Sequence, residues 1–161
     1  MKPLSYITIL FVLISCGRVK KSDYLDKERT VEEVHQMLLD YLVDINKEGL
    51  VAEFRYLDDS SDFFWVPPGY RSALSYDSVK TILERNHKAI HSIKMQWDTL
   101  QIFPLTNEIA NYSGIVDGVM IDTAGIKSTM SIIESGTIIK REDGWKLLSG
   151  QSEILRAASE N

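Results

Sequence analysis

The chain has 161 residues, of which 44% are hydrophobic and 25% charged, with four prolines, one cysteine and a formal charge of −5. That size suits one ordinary domain, and the composition excludes a disordered, collagen-like or disulfide-built chain. Mild acidity without a basic stripe argues against nucleic acid as a partner.

Residues 1–15 differ in kind from the rest. Lys2 gives a short positive start, and the run from Leu4 to Ile14 is mostly apolar and carries no charge. It is too short to cross a bilayer as a helix, which needs about 20 residues, but has the length of the apolar region of a secretory signal. Its end, Leu13-Ile14-Ser15-Cys16 followed by Gly17, resembles the lipobox of bacterial lipoproteins. That resemblance implies cleavage before Cys16, acylation of the cysteine and a membrane lipid as partner, with the domain held at the bacterial cell envelope. Two or three acyl chains exceed what stable anchoring needs, since each buried CH₂ contributes about 0.8 kcal/mol. Cys16 is the only cysteine, so no intrachain disulfide competes for it. The other reading is a spare thiol behind an ordinary cleaved signal. Gly17 to Arg29 is polar, lacks an apolar period and reads as a tether, so residues 16–29 form the lipidated cysteine and its linker.

The folded part, residues 30–155, is expected to begin at Thr30, because Thr30-Val31-Glu32-Glu33 has the spacing of a capping box. Val31, Val34, Leu38, Tyr41, Leu42 and Ile45 then recur at helical spacing up to Gly49. A short second helix fits Leu50 to Leu57. The stretch DDSSDFFWVPPGYRS reads as a loop, because Pro67, Pro68 and Gly69 interrupt it. Ser75 or Asp77 can cap a third helix carrying Val79, Ile82, Leu83 and Ile90 on one side.

From Ile93 the period changes to two, with Ile93, Met95 and Trp97 alternating with polar residues. The apolar set then shifts to Leu100 and Ile102, which predicts a bulge near Asp98 and Thr99. Ile109 to Ile121 forms the next strand, with Ala110, Gly114 and Gly118 on one face and Ile115, Asp117, Val119 and Ile121 on the other. Lys127 to Arg141 forms another strand, Glu142-Asp143-Gly144 a tight turn, and Trp145 to Ile154 the last strand, followed by a tail at 156–161. Helices followed by a four-stranded meander define an α+β domain with the helices packed on one face of a curved antiparallel sheet.

The run GTIIKREDGWKLLSGQSEI resembles the C-terminal hairpin of the nuclear transport factor 2-like superfamily, in its SnoaL-like branch. The resemblance spans roughly Thr30 to Leu155 and rests on element order together with Thr137, Asp143, Gly144 and Trp145. It implies a cone in which a strongly bent sheet wraps the first helix and leaves a pocket at its open end. Ketosteroid isomerases and SnoaL-type cyclases of this superfamily use a pocket carboxylate as base, which requires a carboxyl raised toward neutral pH by apolar surroundings. Asp117, between Val116 and Gly118 with Ile115 and Val119 on its own face, is the first candidate, and Glu134 the second; the opposing reading is that both point outward. Many relatives carry histidines in the final strand, where this chain has Leu148-Ser149-Gly150-Gln151-Ser152. That substitution favours binding of a small hydrophobic ligand or a protein partner over catalysis.

The expected ligand-binding set is Tyr41 from the first helix, Trp65 and Tyr70 from the aromatic loop, and Gln151 from the last strand. Large aromatic walls with a few polar atoms suit a small-molecule pocket, although core packing uses the same side chains. His35 lies beside the apolar face of the first helix and reads either as a pocket group or as a core histidine. His87 and His91 are spaced as a helical pair but lack a third ligand and read as charge complementing a helix end, while Asp58, Asp59 and Asp62 lack the pattern of a calcium loop and read as a solvated turn, so no metal or cofactor is expected. Asn111-Tyr112-Ser113 matches a glycosylation sequon by chance in a bacterial chain. The face of the strand carrying Trp97 offers a surface on which a homodimer could form. Replacing Cys16 with Ser should release the protein from the membrane fraction of the producing cell; unchanged retention would exclude the lipid anchor.

Overall fold

The computed structural model describes residues 25–160, and their side chains as far as Leu155. The signal and lipidation readings, and most of the tether, lie outside the described residues. In chain order the elements are α1 (Lys27–Glu48), a 3-10 helix (Leu50–Arg55), β1 (Phe64–Val66), α2 (Tyr76–Ala89), β2 (Ile90–Pro104), β3 (Ile109–Asp122), β4 (Lys127–Arg141) and β5 (Gly144–Glu160).

α1 starts ahead of the expected capping box. Asp26 is its cap, accepting from the Arg29 N–H at 3.1 Å. Thr30 is instead buried on the face that carries Val34, Leu38, Tyr41, Leu42 and Ile45. Glu33 accepts from Lys140 Nζ at 2.6 Å and Trp145 Nε1 at 3.0 Å, tying the helix to the β4–β5 hairpin. The two capping-box residues are thus taken up by tertiary contacts, which a local pattern cannot anticipate. Gly49 ends the helix at a φ of 83°, where a side chain would also meet the His87 imidazole at 2.6 Å.

The sheet has five strands rather than four, in the order β1-β5-β4-β3-β2. β1 forms inside the expected loop and runs parallel to β5, pairing Trp65 with Gly150. Pro67 and Pro68 follow it, ending an edge strand too short to register as an alternating pattern. Ser75 takes the N-cap position of α2 without a side-chain bond to the helix backbone, and the expected last apolar residue of the helix, Ile90, opens β2 instead. β5 continues through the expected tail to Glu160. The register shift between Trp97 and Thr99 confirms the bulge expected from the change of parity.

α1 lies in the concave side of this sheet. Trp97 faces inward and donates from Nε1 to Leu38 O at 3.1 Å, so it serves the core and not an outer dimer surface. Asn46 pairs with the edge strand as another strand would, donating to Met95 O at 2.8 Å and accepting from Met95 N at 2.6 Å. One inward-facing row across the sheet reads Trp65, Gly150, Gly136, Tyr112 and Ile102. The two glycines leave a bare strip of backbone on which the rings of Trp65 and Tyr112 lie. A Cβ on Gly150 would meet the Trp65 ring at 2.5 Å and Ser135 O at 2.5 Å, and one on Gly136 would meet Ser149 O at 2.3 Å. Gly150→Ala should therefore destabilise the fold by about 1–3 kcal/mol in denaturant unfolding. Gly118→Ala, whose Cβ would meet the flexible Met130 at 3.3 Å, should lose clearly less.

Candidate functional site

The next inward row of the sheet is Ser152, Glu134, Gly114 and Leu100, so Glu134 projects into the cone beside Tyr112. Tyr112 Oη donates to Glu134 Oε1 at 2.5 Å. A second acid arrives from the 3-10 helix. Glu53 follows the buried Ala52 and lies near the Tyr41 hydroxyl, which acts to lower its carboxyl. Trp65 Nε1 donates to Ser152 Oγ at 3.2 Å, fixing the indole as one wall.

Tyr41, Glu53, Trp65, Glu134 and Ser152 line a cavity of about 440 Å³ whose remaining walls include Leu50, Val79, Ile82, Leu83, Ile93, Met120, Ile132 and Leu147. The exposed Asn86 and Ala89 place its mouth at the end of α2. The size and the mostly apolar lining are those of a small-molecule site. Asp122 also reaches the mouth, but its Oδ1 is engaged by the backbone N–H groups of Ala124 and Ile126 at 2.9 and 2.8 Å.

Both inner acids are perturbed. Burial, helped by the charge of Glu134, pushes Glu53 up to about 8 against the opposing effect of the Tyr41 hydroxyl. Burial likewise pushes Glu134 up to about 7, with the Tyr112 hydroxyl opposing it. Each carboxyl is half-buried because it faces the cavity, yet protein surrounds it on the other sides, which is why desolvation dominates. The tyrosines are raised well above their ordinary range, first by burial and then by the neighbouring acids. Among the described residues lining the cavity none is Lys, Arg or His.

The sequence-derived candidates divide. Tyr41, Trp65 and Glu134 meet in the cavity. Asp117 does not: it lies on the opposite face of β3 from the buried Tyr112 and Val116, where Ser131 donates to it, bordering an open depression. Tyr70 is 41% exposed and stands outside the cavity. Gln151 is exposed on the outer face, because a register shift between Thr137 and Ile138 leaves Leu148 unpaired and turns Gly150 and Ser152 inward in place of Ser149 and Gln151. His35 is exposed, neither pocket nor core. α2 ends at Ala89, so His91 belongs to β2 and forms no helical pair with His87. Asp58 is not a solvated turn residue but is buried, accepting from Arg141 Nε at 2.5 Å and Ser60 N at 3.0 Å. Burial alone would raise its carboxyl, but Arg141 and Ser60 outweigh that and hold it below the usual range. Glu53 was missed altogether, since a single acid in a short 3-10 helix carries no periodic signal.

No protein-family profile matches the sequence, and no curated protein matches it. Solved structures do. A protein provisionally assigned as a scytalone dehydratase from Novosphingobium aromaticivorans superposes with a TM-score of 0.72 at 12% identity, over 83% of this chain and 89% of its own. The hexachlorocyclohexane dehydrochlorinase LinA-type3 from Novosphingobium barchaimii gives 0.67 at 13% identity, over 84% and 92%. A nuclear transport factor 2-like superfamily protein from Salmonella enterica serovar Typhimurium gives 0.62 at 14% identity, over 78% and 90%. The fold is therefore nuclear transport factor 2-like, an architecture shared by enzymes and non-catalytic binders. At this level of identity the likeness defines the fold, and function has to come from the cavity.

The cavity acids make a stability prediction of definite sign. Glu53 and Glu134 lie above their ordinary value of 4.5, so the folded chain holds protons that the unfolded chain releases. Stability should fall as pH rises from about 5 to about 8, by at most about 1.4 kcal/mol per pH unit for each group. Thermal unfolding across this range should show the slope, and Glu53→Gln and Glu134→Gln should each flatten it. A level wild-type profile would contradict the burial of these acids.

Proposed function

We propose that this chain is a lipid-anchored cell-envelope protein whose cone binds a small hydrophobic compound without turning it over. The observation that carries the reading is the cavity of about 440 Å³, with aliphatic and aromatic walls and polar groups confined to a few positions. Apolar walls supply burial, and Glu53, Glu134 and Ser152 supply orientation. Two of these polar groups are already held by protein partners, Glu134 by Tyr112 and Ser152 by Trp65. Such an arrangement fixes a ligand's direction and restrains the groups that would otherwise exchange protons with it. Cys16 would hold the domain at the membrane surface through the polar tether.

A second reading has its own observation. Glu134 is poised near neutral pH, and Glu53, raised further, supplies a protonated donor in the same cavity. One carboxylate as base and one carboxylic acid as donor is the division of labour that proton abstraction next to a carbonyl requires. Two of the structural neighbours, a dehydratase and a dehydrochlorinase, are named for eliminations, which proton abstraction also serves. On this reading Glu134→Gln removes all turnover of a carbonyl substrate while leaving its binding; on the first reading there is no turnover to remove.

The chain without residues 1–21 retains every described element. Titrating it with a hydrophobic alcohol such as octanol should quench tryptophan emission saturably. Trp65→Phe should weaken binding several-fold with little loss of stability, because the wall is thinned while its core contacts largely remain. Trp65→Ala is a poorer probe, since removing a side chain only 8% exposed should itself cost about 3–5 kcal/mol of stability. Absence of saturable quenching in the wild type would rule out the binding reading.

A further inference from the structure

The charge inside the cone is one-sided. Glu53 enters from the 3-10 helix and Glu134 from β4, and both line the same cavity of about 440 Å³. The other titratable groups facing them are Tyr41 from α1, Tyr112 from β3 and, at the mouth, Asp122 from β3. All are acidic or neutral, and among the described lining residues no cation balances them. Elsewhere among the described residues several acids meet bases: Asp58 with Arg141, Glu33 with Lys140, Asp44 and Glu48 with Arg55. In the cavity, by contrast, two carboxyls border one apolar space, and the described hydrogen-bond partner of Glu134 is the neutral Tyr112 hydroxyl.

Buried carboxyls without a counter-charge stay protonated at a free-energy cost that a cation would remove. The walls next to them, Leu50, Val79, Ile93 and Ile132, disfavour a hydrated ion and match an alkyl or aryl body. No group of three or more His, Cys, Asp or Glu suited to a metal occurs among the described residues. Trp65 and Tyr41 add aromatic surface, which also favours a cationic head.

We propose that the cone is selective for amphiphilic amines, compounds with an apolar body and one protonated nitrogen that sits between Glu53 and Glu134. This rests on the cavity being a ligand site, as argued above. Binding draws the two acids into their ionised forms, so the complex releases protons to solvent around pH 7. The ammonium N–H groups then donate to the carboxylate oxygens that the tyrosines leave open.

Three probes of matched length test it on the chain without residues 1–21: octylamine, octanol and octanoate, followed by isothermal titration at pH 7 in two buffers of different ionisation enthalpy. Octylamine should bind at least about tenfold more tightly than octanol, the scale of one charge-assisted hydrogen bond, and octanoate more weakly than either. The apparent enthalpy of octylamine binding should change with buffer, reporting proton release, while that of octanol should not. Glu134→Gln and Glu53→Gln should each lower octylamine affinity by several-fold more than they lower octanol affinity, closing the gap between the two probes, while a cooperative thermal unfolding transition shows that the variants are folded. Equal affinity for octanol and octylamine, or amine affinity unaffected by both substitutions, overturns the cation preference and leaves the cavity reading standing. Failure of all three probes to bind overturns both.

Discussion

The contact on which the rest of the molecule depends is the ring of Tyr112 lying across the bare backbone of Gly136. A sheet cannot wrap a helix unless its concave face gives up side-chain volume somewhere. Here the volume is given up at Gly136 and its cross-strand partner Gly150, and returned by aromatic rings from the neighbouring strands. The hydroxyl of the same Tyr112 reaches Glu134. Curvature and site chemistry are therefore set by one side chain, and a change in the first displaces the second.

The bend also explains why space remains inside. α1 fills one end of the cone with Val34, Leu38, Tyr41, Leu42 and Ile45 and is fixed to the edge strand through Asn46 and Trp97. Toward the other end Trp65 is turned against Gly150 and held by Ser152, so it forms a wall instead of a plug. The interior close-packs around α1 and stays open beside α2, and the polar groups collect where it is open.

The electrostatics of the two regions are opposed. Outside the cavity, Asp58 and Glu33 have basic partners, Arg141 and Lys140, which help hold them below the ordinary carboxylate range. Their contribution to stability is present at neutral pH and lost as the carboxyls protonate in acid. Inside, Glu53 and Glu134 are raised, and their contribution runs the other way, present in acid and lost toward pH 8. The two raised carboxyls share the cavity, so the unmet demand for charge that they carry is concentrated there, whichever of the two functional readings holds.

Much of the architecture was legible from residue order. The helical spacing from Val34 to Ile45, the change to period two at Ile93, the bulge after Trp97 and the Asp143-Gly144 turn are local signals, because each depends on neighbours within a turn or a strand. The same locality fixed that Tyr41 and Trp65 would be large walls, without saying whether they would fill the core or border a space. What alternation could not fix is which face of a strand is the inside. Asp117 and Glu134 sit in equally apolar strands, yet pairing places the first against Ser131 on the outer face and the second against Gly114 in the cone. The unpaired Leu148 exchanged Gln151 for Ser152 by the same rule, since one extra residue reverses every side chain beyond it. Glu53 and β1 had no period to betray them, one lying in a single short turn of helix and the other too brief to alternate. Sequence determined the elements because their signals are short-ranged; only the closing of the sheet decided which acids face each other, because that depends on registers between strands far apart in the chain.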